Sequence, residues 1–160
     1  MDTVNRMPVL FVGHGSPMNA IEDNEYSRTW AQMGNLLPAP RAILSISAHW
    51  ETQGTFVTAM LQPRTIHDFY GFPPELYEMR YSAPGSLELV DLVKSSLRSI
   101  EVRDDLEWGL DHGTWSVLCR MYPRAHVPVV QLSLSRQNAP EFHYALGREL
   151  LPLRDEGVLI

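Results

Sequence analysis

A short apolar run that ends in a glycine-flanked histidine is the feature that most constrains this chain. Residues 8–12 (Pro-Val-Leu-Phe-Val) are rich in strand-forming side chains and predict a buried strand, after which the chain continues Gly13-His14-Gly15. Glycine adopts backbone conformations that other residues avoid, and it leaves space beside an imidazole. In open α/β sheets, ligands bind beyond the carboxyl ends of the strands. We therefore expect a functional histidine at this edge of a sheet.

A second apolar run ends in the same way. Residues 41–48 predict a strand, and His49-Trp50 follows directly. If the two strands are neighbours, His14 and His49 converge on one point, which is the geometry of a metal site. A single histidine at a strand end is more often a hydrogen-bonded structural residue, but two in matching positions favour the metal site.

Strands and helices alternate along the rest of the chain. Further strands are predicted at residues 54–59, 100–103, 127–134 and from 157 onward. Helices are predicted after a cap at Asp23 or Asn24, after Ser86, from about residue 112 and from Pro140. This alternation predicts an α/β fold: a three-layer α/β/α arrangement with a mostly parallel central sheet and helices on both faces. A length of 160 residues suits one domain, so residues 1–160 are expected to form a single domain.

Residues 61–85 are rich in proline and also carry several aromatic rings. A disordered linker seldom contains so many apolar rings, so the segment is interpreted as a packed loop that lines a pocket. His67 lies at its centre and has two interpretations that are equally favoured. It either faces the substrate or lies at the surface, held by the neighbouring Asp68.

Another histidine stands at the predicted start of a helix, in Asp111-His112-Gly113-Thr114-Trp115. The positive end of a helix disfavours an imidazolium and favours bound anions. A neutral His112 at this position can exchange a hydrogen bond with a bound oxygen ligand. The alternative is that His112 caps the helix or packs against it.

Composition excludes some classes of partner. The formal net charge is −6 and the isoelectric point is near 5.4, which argues against nucleic acid or an anionic membrane surface as the main partner. No apolar run approaches the ~20 residues of a membrane span, and residues 1–7 lack the apolar region of a secretory signal. The single cysteine, Cys119, cannot form an intrachain disulfide and is interpreted as a small buried apolar residue. A cytoplasmic location is expected.

Five motifs occur in an order that resembles a known family. They are Gly13-His14-Gly15-Ser16-Pro17-Met18-Asn19, Ser47-Ala48-His49-Trp50, residues 65–73 around His67, Tyr81-Ser82-Ala83-Pro84-Gly85, and Asp111-His112-Gly113-Thr114-Trp115. The chain resembles the class III extradiol ring-cleavage dioxygenases of the LigB-like superfamily, in the branch of the DOPA 4,5-dioxygenases and their bacterial homologues. The resemblance covers essentially the whole chain.

The resemblance implies an enzyme that opens the ring of a DOPA-like catechol with O2. It implies one divalent metal ion, Fe(II) or Zn(II), with its first ligands at His14 and His49. His112 is then expected to be catalytic without binding the metal, and Ser16, His67 and Asp111 are expected to contact the substrate.

The resemblance also implies that the chain is incomplete at its C-terminus, because members of this family continue for roughly a hundred residues beyond the position of Ile160. The 160 residues of this chain already reach the usual size of a single domain. That continuation supplies one histidine that is expected to act as base or ligand and another that completes the metal site.

Two alternative functions stay open. One is a non-redox metal protein like the chelatases, which share Gly-His-Gly-Ser but lack the second and fifth motifs. The other is an inactive fragment that acts as a binding module.

Overall fold

A computed structural model describes residues 6–160, and a five-stranded sheet forms its centre. The strands are β1 (Ala42–Thr52), β2 (Thr55–Thr58), β3 (Val102–Asp105), β4 (Val129–Ser135) and β5 (Val158–Leu159). Their order across the sheet is β3-β2-β4-β1-β5. The β1–β4, β1–β5 and β2–β3 pairs are parallel, and the β2–β4 pair is antiparallel. The mostly parallel sheet predicted from the sequence is confirmed.

Helices cover both faces of the sheet, as predicted. The α-helices of the described residues are α1 (Glu25–Leu36), α2 (Pro74–Glu78), α3 (Leu87–Ser96), α4 (His112–Met121) and α5 (Pro140–Leu150). Short 3-10 helices span Pro17–Ala20 and Leu151–Glu156. Each spans one or two turns and connects longer elements.

The core lies in two layers, one on each side of the sheet. On one side, Trp30 of α1 and Trp115 of α4 pack with Ile43 of β1. On the other side, side chains of α3 and α5 pack around Leu44 of β1 and Val57 of β2. Alternate residues of β1 therefore face opposite layers, as the twofold periodicity of a strand requires.

The predicted buried strand at residues 8–12 is wrong. These residues form no strand of the sheet, and Phe11 is fully exposed. The Leu10 N–H donates to the Ile160 carbonyl at 2.8 Å, so the segment runs along the outer side of the two-residue strand β5. Strand propensity alone does not place a segment in a sheet, because a strand also needs a neighbouring backbone that pairs with it along its length.

The described helices are all too short or too polar to cross a membrane. Residues 1–5, which belong to the stretch predicted to lack a secretory signal, lie outside the described residues. The extent of the predicted single domain, residues 1–160, stays a prediction.

Candidate functional site

Three histidines from distant parts of the sequence meet at one place. His49 lies within β1, at a shift in its register with β4, and not after the end of the strand as predicted. Nε2 of His14 lies 2.8 Å from Nε2 of His49. The ring centroid of His112 lies 4.0 Å from that of His49 and 5.0 Å from that of His14. One nitrogen from each imidazole can be chosen so that all three lie within 4.8 Å of one another. The structure thus brings together the two predicted metal ligands and the predicted catalytic residue.

His14 is held by the turn that follows it. The Asn19 side chain donates to the His14 carbonyl at 3.1 Å, and Gly15 adopts a φ of +60°, a value that favours glycine. Ser16 then caps the first 3-10 helix, since its Oγ accepts from the Met18 N–H at 3.2 Å. Ser16 is exposed beside His14, and its predicted contact with substrate stays a prediction.

His49 and His112 approach each other because Gly113 has no side chain. A Cβ atom at Gly113 would lie 2.6 Å from Ser47 Oγ and 2.8 Å from His49 Cδ2. Both distances are shorter than ordinary van der Waals contacts. The start of α4 therefore lies directly against β1, and a larger residue at this position would displace the side chains of Ser47 and His49.

Asp68 binds His112 twice. Its Oδ1 accepts from the His112 backbone N–H at 3.0 Å and lies 2.8 Å from His112 Nδ1. Burial alone would raise the pKa of Asp68, but the hydrogen bonds from the side chain and backbone of His112 outweigh it and lower that pKa. Asp68 is therefore a carboxylate at neutral pH and can only accept.

The sequence did not predict the Asp68–His112 contact. The sequence indicates Asp68 only as a local partner of its neighbour His67. The structure instead places the ring of His67 2.9 Å from the Met79 carbonyl, through Nε2. His67 lies between Phe69 and Trp115, with ring centroids 5.8 and 5.7 Å away. It is part of the aromatic loop, and its contact with substrate stays a prediction.

Asp111 lies buried at the start of α4, and its predicted contact with substrate stays a prediction. Its side chain is fully buried, and its Oδ1 accepts from the Thr114 N–H at 3.2 Å, which caps α4. Its Oδ2 accepts from Gln131 Nε2 at 2.8 Å. Because both carboxylate oxygens bind groups inside the protein, Asp111 fixes the start of the helix that carries His112.

Gln131 is a residue that sequence reasoning missed. It lies in β4, is fully buried, and its Oε1 also accepts from the Asp111 N–H at 2.9 Å. A buried glutamine within an apolar strand is the one signal that could have identified it, since buried polar groups need partners. Gln131 ties the sheet to the start of α4.

Aromatic rings form one wall of the site. Phe69 lies with its ring centroid 5.6 Å from that of His112, in an edge-on arrangement. Phe72 and Tyr77 pack against Phe69 at 5.3 and 5.0 Å. The predicted packed loop therefore stands next to the histidines, where it can contact a flat apolar ligand and limit the access of water.

The electrostatics of the cluster suit a cation. Burial lowers the pKa of His14 most, and the nearby His112 and His49 lower it further. A neutral imidazole is the form that binds a metal. His14 Nδ1 is buried and has no hydrogen-bond partner within the described residues, so Nε2, which faces His49, is the nitrogen directed at the cluster. A set of imidazole donors fits zinc and iron among the common protein metals.

Comparisons with known proteins identify relatives of this chain. The sequence profile of the family described as the catalytic LigB subunit of aromatic ring-opening dioxygenase matches residues 8–160. The protein named 4,5-DOPA dioxygenase extradiol from Escherichia coli (strain K12) is 53% identical over 156 residues, which cover 97% of this chain and 58% of that protein. The protein of the same name from Beta vulgaris is 44% identical over 162 residues, covering 98% and 60%.

A solved structure shares the fold. The crystal structure of an uncharacterized protein from Escherichia coli K12 superposes with a TM-score of 0.80 at 47% sequence identity, covering 96% of this chain and 58% of that one. The chain thus spans about three fifths of the length of the relatives it matches. Because the family profile matches nearly every described residue, the chain belongs to the LigB family of aromatic ring-opening dioxygenase catalytic subunits.

Proposed function

We propose that this chain provides part of the active site of a metal-dependent extradiol dioxygenase that opens the ring of a DOPA-like catechol with O2. The observation that carries the proposal is the convergence of His14, His49 and His112 beside an aromatic wall. The family membership and the printed names of the two relatives support it. A cytoplasmic location, supported by the single cysteine, belongs to the same proposal.

His14 and His49 are the proposed metal ligands. Two imidazole nitrogens bound to one ion at ~2.0–2.1 Å lie a little over 3 Å apart, close to the 2.8 Å between their Nε2 atoms here. The proposed ion is Fe(II) or Zn(II), and iron held there would supply the redox chemistry of the reaction between a catechol and O2. The remaining protein ligand is expected from the part of the relatives that this chain does not match.

His112 is the proposed acid–base group of the reaction. Asp68 occupies Nδ1 of His112, so Nε2 is left to accept a proton from a catechol hydroxyl. Phe69 and the rings packed on it exclude water from that transfer. Ser16 and His67 are the proposed substrate contacts, and Asp111 serves by fixing the start of α4.

The test compares two forms of the protein after anaerobic loading with Fe(II). One form is the 160-residue chain, and the other is the same chain fused to the remaining portion of the Escherichia coli relative. We expect the fused form to consume O2 and open the catechol ring, whereas the short form shows no ring cleavage. A fused form that folds and holds iron but does not cleave catechols would contradict the proposal.

Substitution separates the roles of the histidines in the fused form. His14→Ala and His49→Ala are expected to lose both iron and ring cleavage. His112→Ala should keep most of the iron and lose ~10²–10⁴-fold in turnover, the usual contribution of an acid–base group. His126→Ala, at an exposed position, is the matched control and should behave as the parent. Loss of iron from His112→Ala as complete as from His14→Ala would make His112 a ligand.

A second candidate function is a binding module without turnover. The observation that favours it is an open cavity of about 520 Å³, lined mostly by apolar side chains of β1, α4 and α5. This candidate predicts that the short form binds a catechol or a metal ion, and that fusion to the rest of the relative adds no ring cleavage. The fused protein therefore distinguishes the two functions.

A further inference from the structure

We propose that Asp68 is a positioning residue that fixes the tautomer and orientation of His112. This inference deepens the proposed function and rests on it for its catalytic consequence. The contact joins a loop residue to a helix residue 44 positions later in the chain.

The geometry leaves one arrangement of protons. One oxygen of Asp68 receives the backbone N–H of His112 at 3.0 Å and lies 2.8 Å from Nδ1 of the same residue. A carboxylate accepts hydrogen bonds and does not donate them, so Nδ1 must carry the proton. In the neutral imidazole, Nε2 then presents its lone pair. Free histidine lacks this constraint and exchanges between tautomers.

Burial strengthens this contact. The side chains of His112 and Asp68 are 8% and 19% exposed, so little water competes for the hydrogen bond. An aspartate that binds both the backbone and the ring of one residue also restricts rotation of the imidazole. The arrangement matches the general pattern in which a carboxylate orients a working histidine through its second nitrogen.

The loop that carries Asp68 is itself fastened to the start of α4. The Ile66 N–H donates to the Leu110 carbonyl at 2.7 Å, and the Leu110 N–H donates to the Arg64 carbonyl at 2.8 Å. Nε1 of Trp115 donates to the Ile66 carbonyl at 2.7 Å. These bonds lie on both sides of His112 in sequence, so the position of Asp68 relative to the ring is set by the fold.

The test is a nitrogen NMR measurement of His112 in the 160-residue chain with ¹⁵N-labelled histidine. The His112→Ala variant assigns the signals. We expect a protonated Nδ1 and an unprotonated Nε2 in the parent chain. Asp68→Ala should shift His112 toward the tautomer protonated at Nε2, whereas Asp68→Asn should retain the parent tautomer because its amide oxygen still accepts. Asp91→Ala, at an exposed position on α3, should leave the signals unchanged.

Thermal unfolding of each variant separates this role from a purely structural one. If Asp68 only stabilises the start of α4, Asp68→Ala lowers the melting temperature and leaves the His112 tautomer unchanged, which overturns the proposal. A parent chain protonated at Nε2 of His112 overturns it as well.

The activity of the fused protein is measured in a separate experiment. Asp68→Ala is expected to lower kcat by about 10–100-fold with a smaller change in KM, the usual effect of removing a group that orients a working histidine. If the tautomer switches but the parent fused protein cleaves no catechol, the proposed function fails and the assignment of Asp68 stands.

Discussion

Single residues decide the spacing of the histidines, and Gly113 is the clearest example. A methyl group at this position would overlap with Ser47 and with the His49 ring. Gly113→Ala is therefore expected to push α4 away from β1 and to weaken metal binding by the His14–His49 pair. The affinity for Zn²⁺, measured by titration calorimetry, should fall at least tenfold.

Gly147→Ala provides the control for this substitution. Gly147 lies in α5, and a Cβ atom there would meet nothing within 4 Å. This variant should keep the parent affinity for zinc. Equal affinities in Gly113→Ala and the parent would show that the close approach of α4 to β1 does not position His49.

Cys119 provides a prediction about reactivity. Burial raises the pKa of its thiol to about 11, from an ordinary value of 9.0. Because the thiolate is the reactive form, the native chain at pH 8 should hold ~100-fold less thiolate than a free cysteine, and alkylation should be slower by a similar factor. Mass spectrometry after iodoacetamide treatment measures this, with the urea-unfolded chain as the reference. Equal rates in the two states would contradict the burial of Cys119.

At the scale of elements, the contact between α1 and α4 supports the site because α4 carries His112. Gly34 of α1 lies so close to α4 that a Cβ atom would overlap with the backbone carbonyl of Met121. Gly34→Ala should therefore lower the free energy of unfolding by ~1–3 kcal/mol, the usual cost of overpacking. Gly147→Ala, which meets no such obstacle, should instead raise it by ~0.5–1 kcal/mol because alanine favours a helix. Denaturation in urea measures both, and a Gly34→Ala chain as stable as the parent would contradict this packing.

Local signals in the sequence predicted most elements. The cap at Ser86 and the helix that follows it were predicted because capping is a property of neighbouring residues. Residues 8–12 were mispredicted because strand propensity does not reveal whether a neighbouring strand exists. The Asp68–His112 contact was missed because it joins distant segments.

At the scale of the whole molecule, apolar surface stands open next to the site. A cavity of about 520 Å³ lies between residues 9–12, β1, α4 and α5, and apolar side chains dominate its lining. Phe11 is fully exposed beside it, and Val9 is half exposed. Exposed apolar area of this kind favours association in water.

We expect the 160-residue chain to be poorly soluble or to self-associate. Sedimentation velocity should show species larger than the monomer, and Phe11→Ser should reduce them by removing the most exposed apolar ring. Tyr144→Ser, which removes another exposed ring on α5, is the control for a general effect of surface polarity. A parent chain that stays monomeric at high concentration would contradict the expectation.

The central claim is that His14 and His49 form a metal site, and a zinc titration of the 160-residue chain tests it most directly. Two imidazole ligands leave most coordination positions to water, so the parent should bind one Zn²⁺ per chain, weakly. His14→Ala and His49→Ala should each abolish this binding, whereas His126→Ala should preserve it. Binding of zinc with parent affinity by both His14→Ala and His49→Ala would contradict the account.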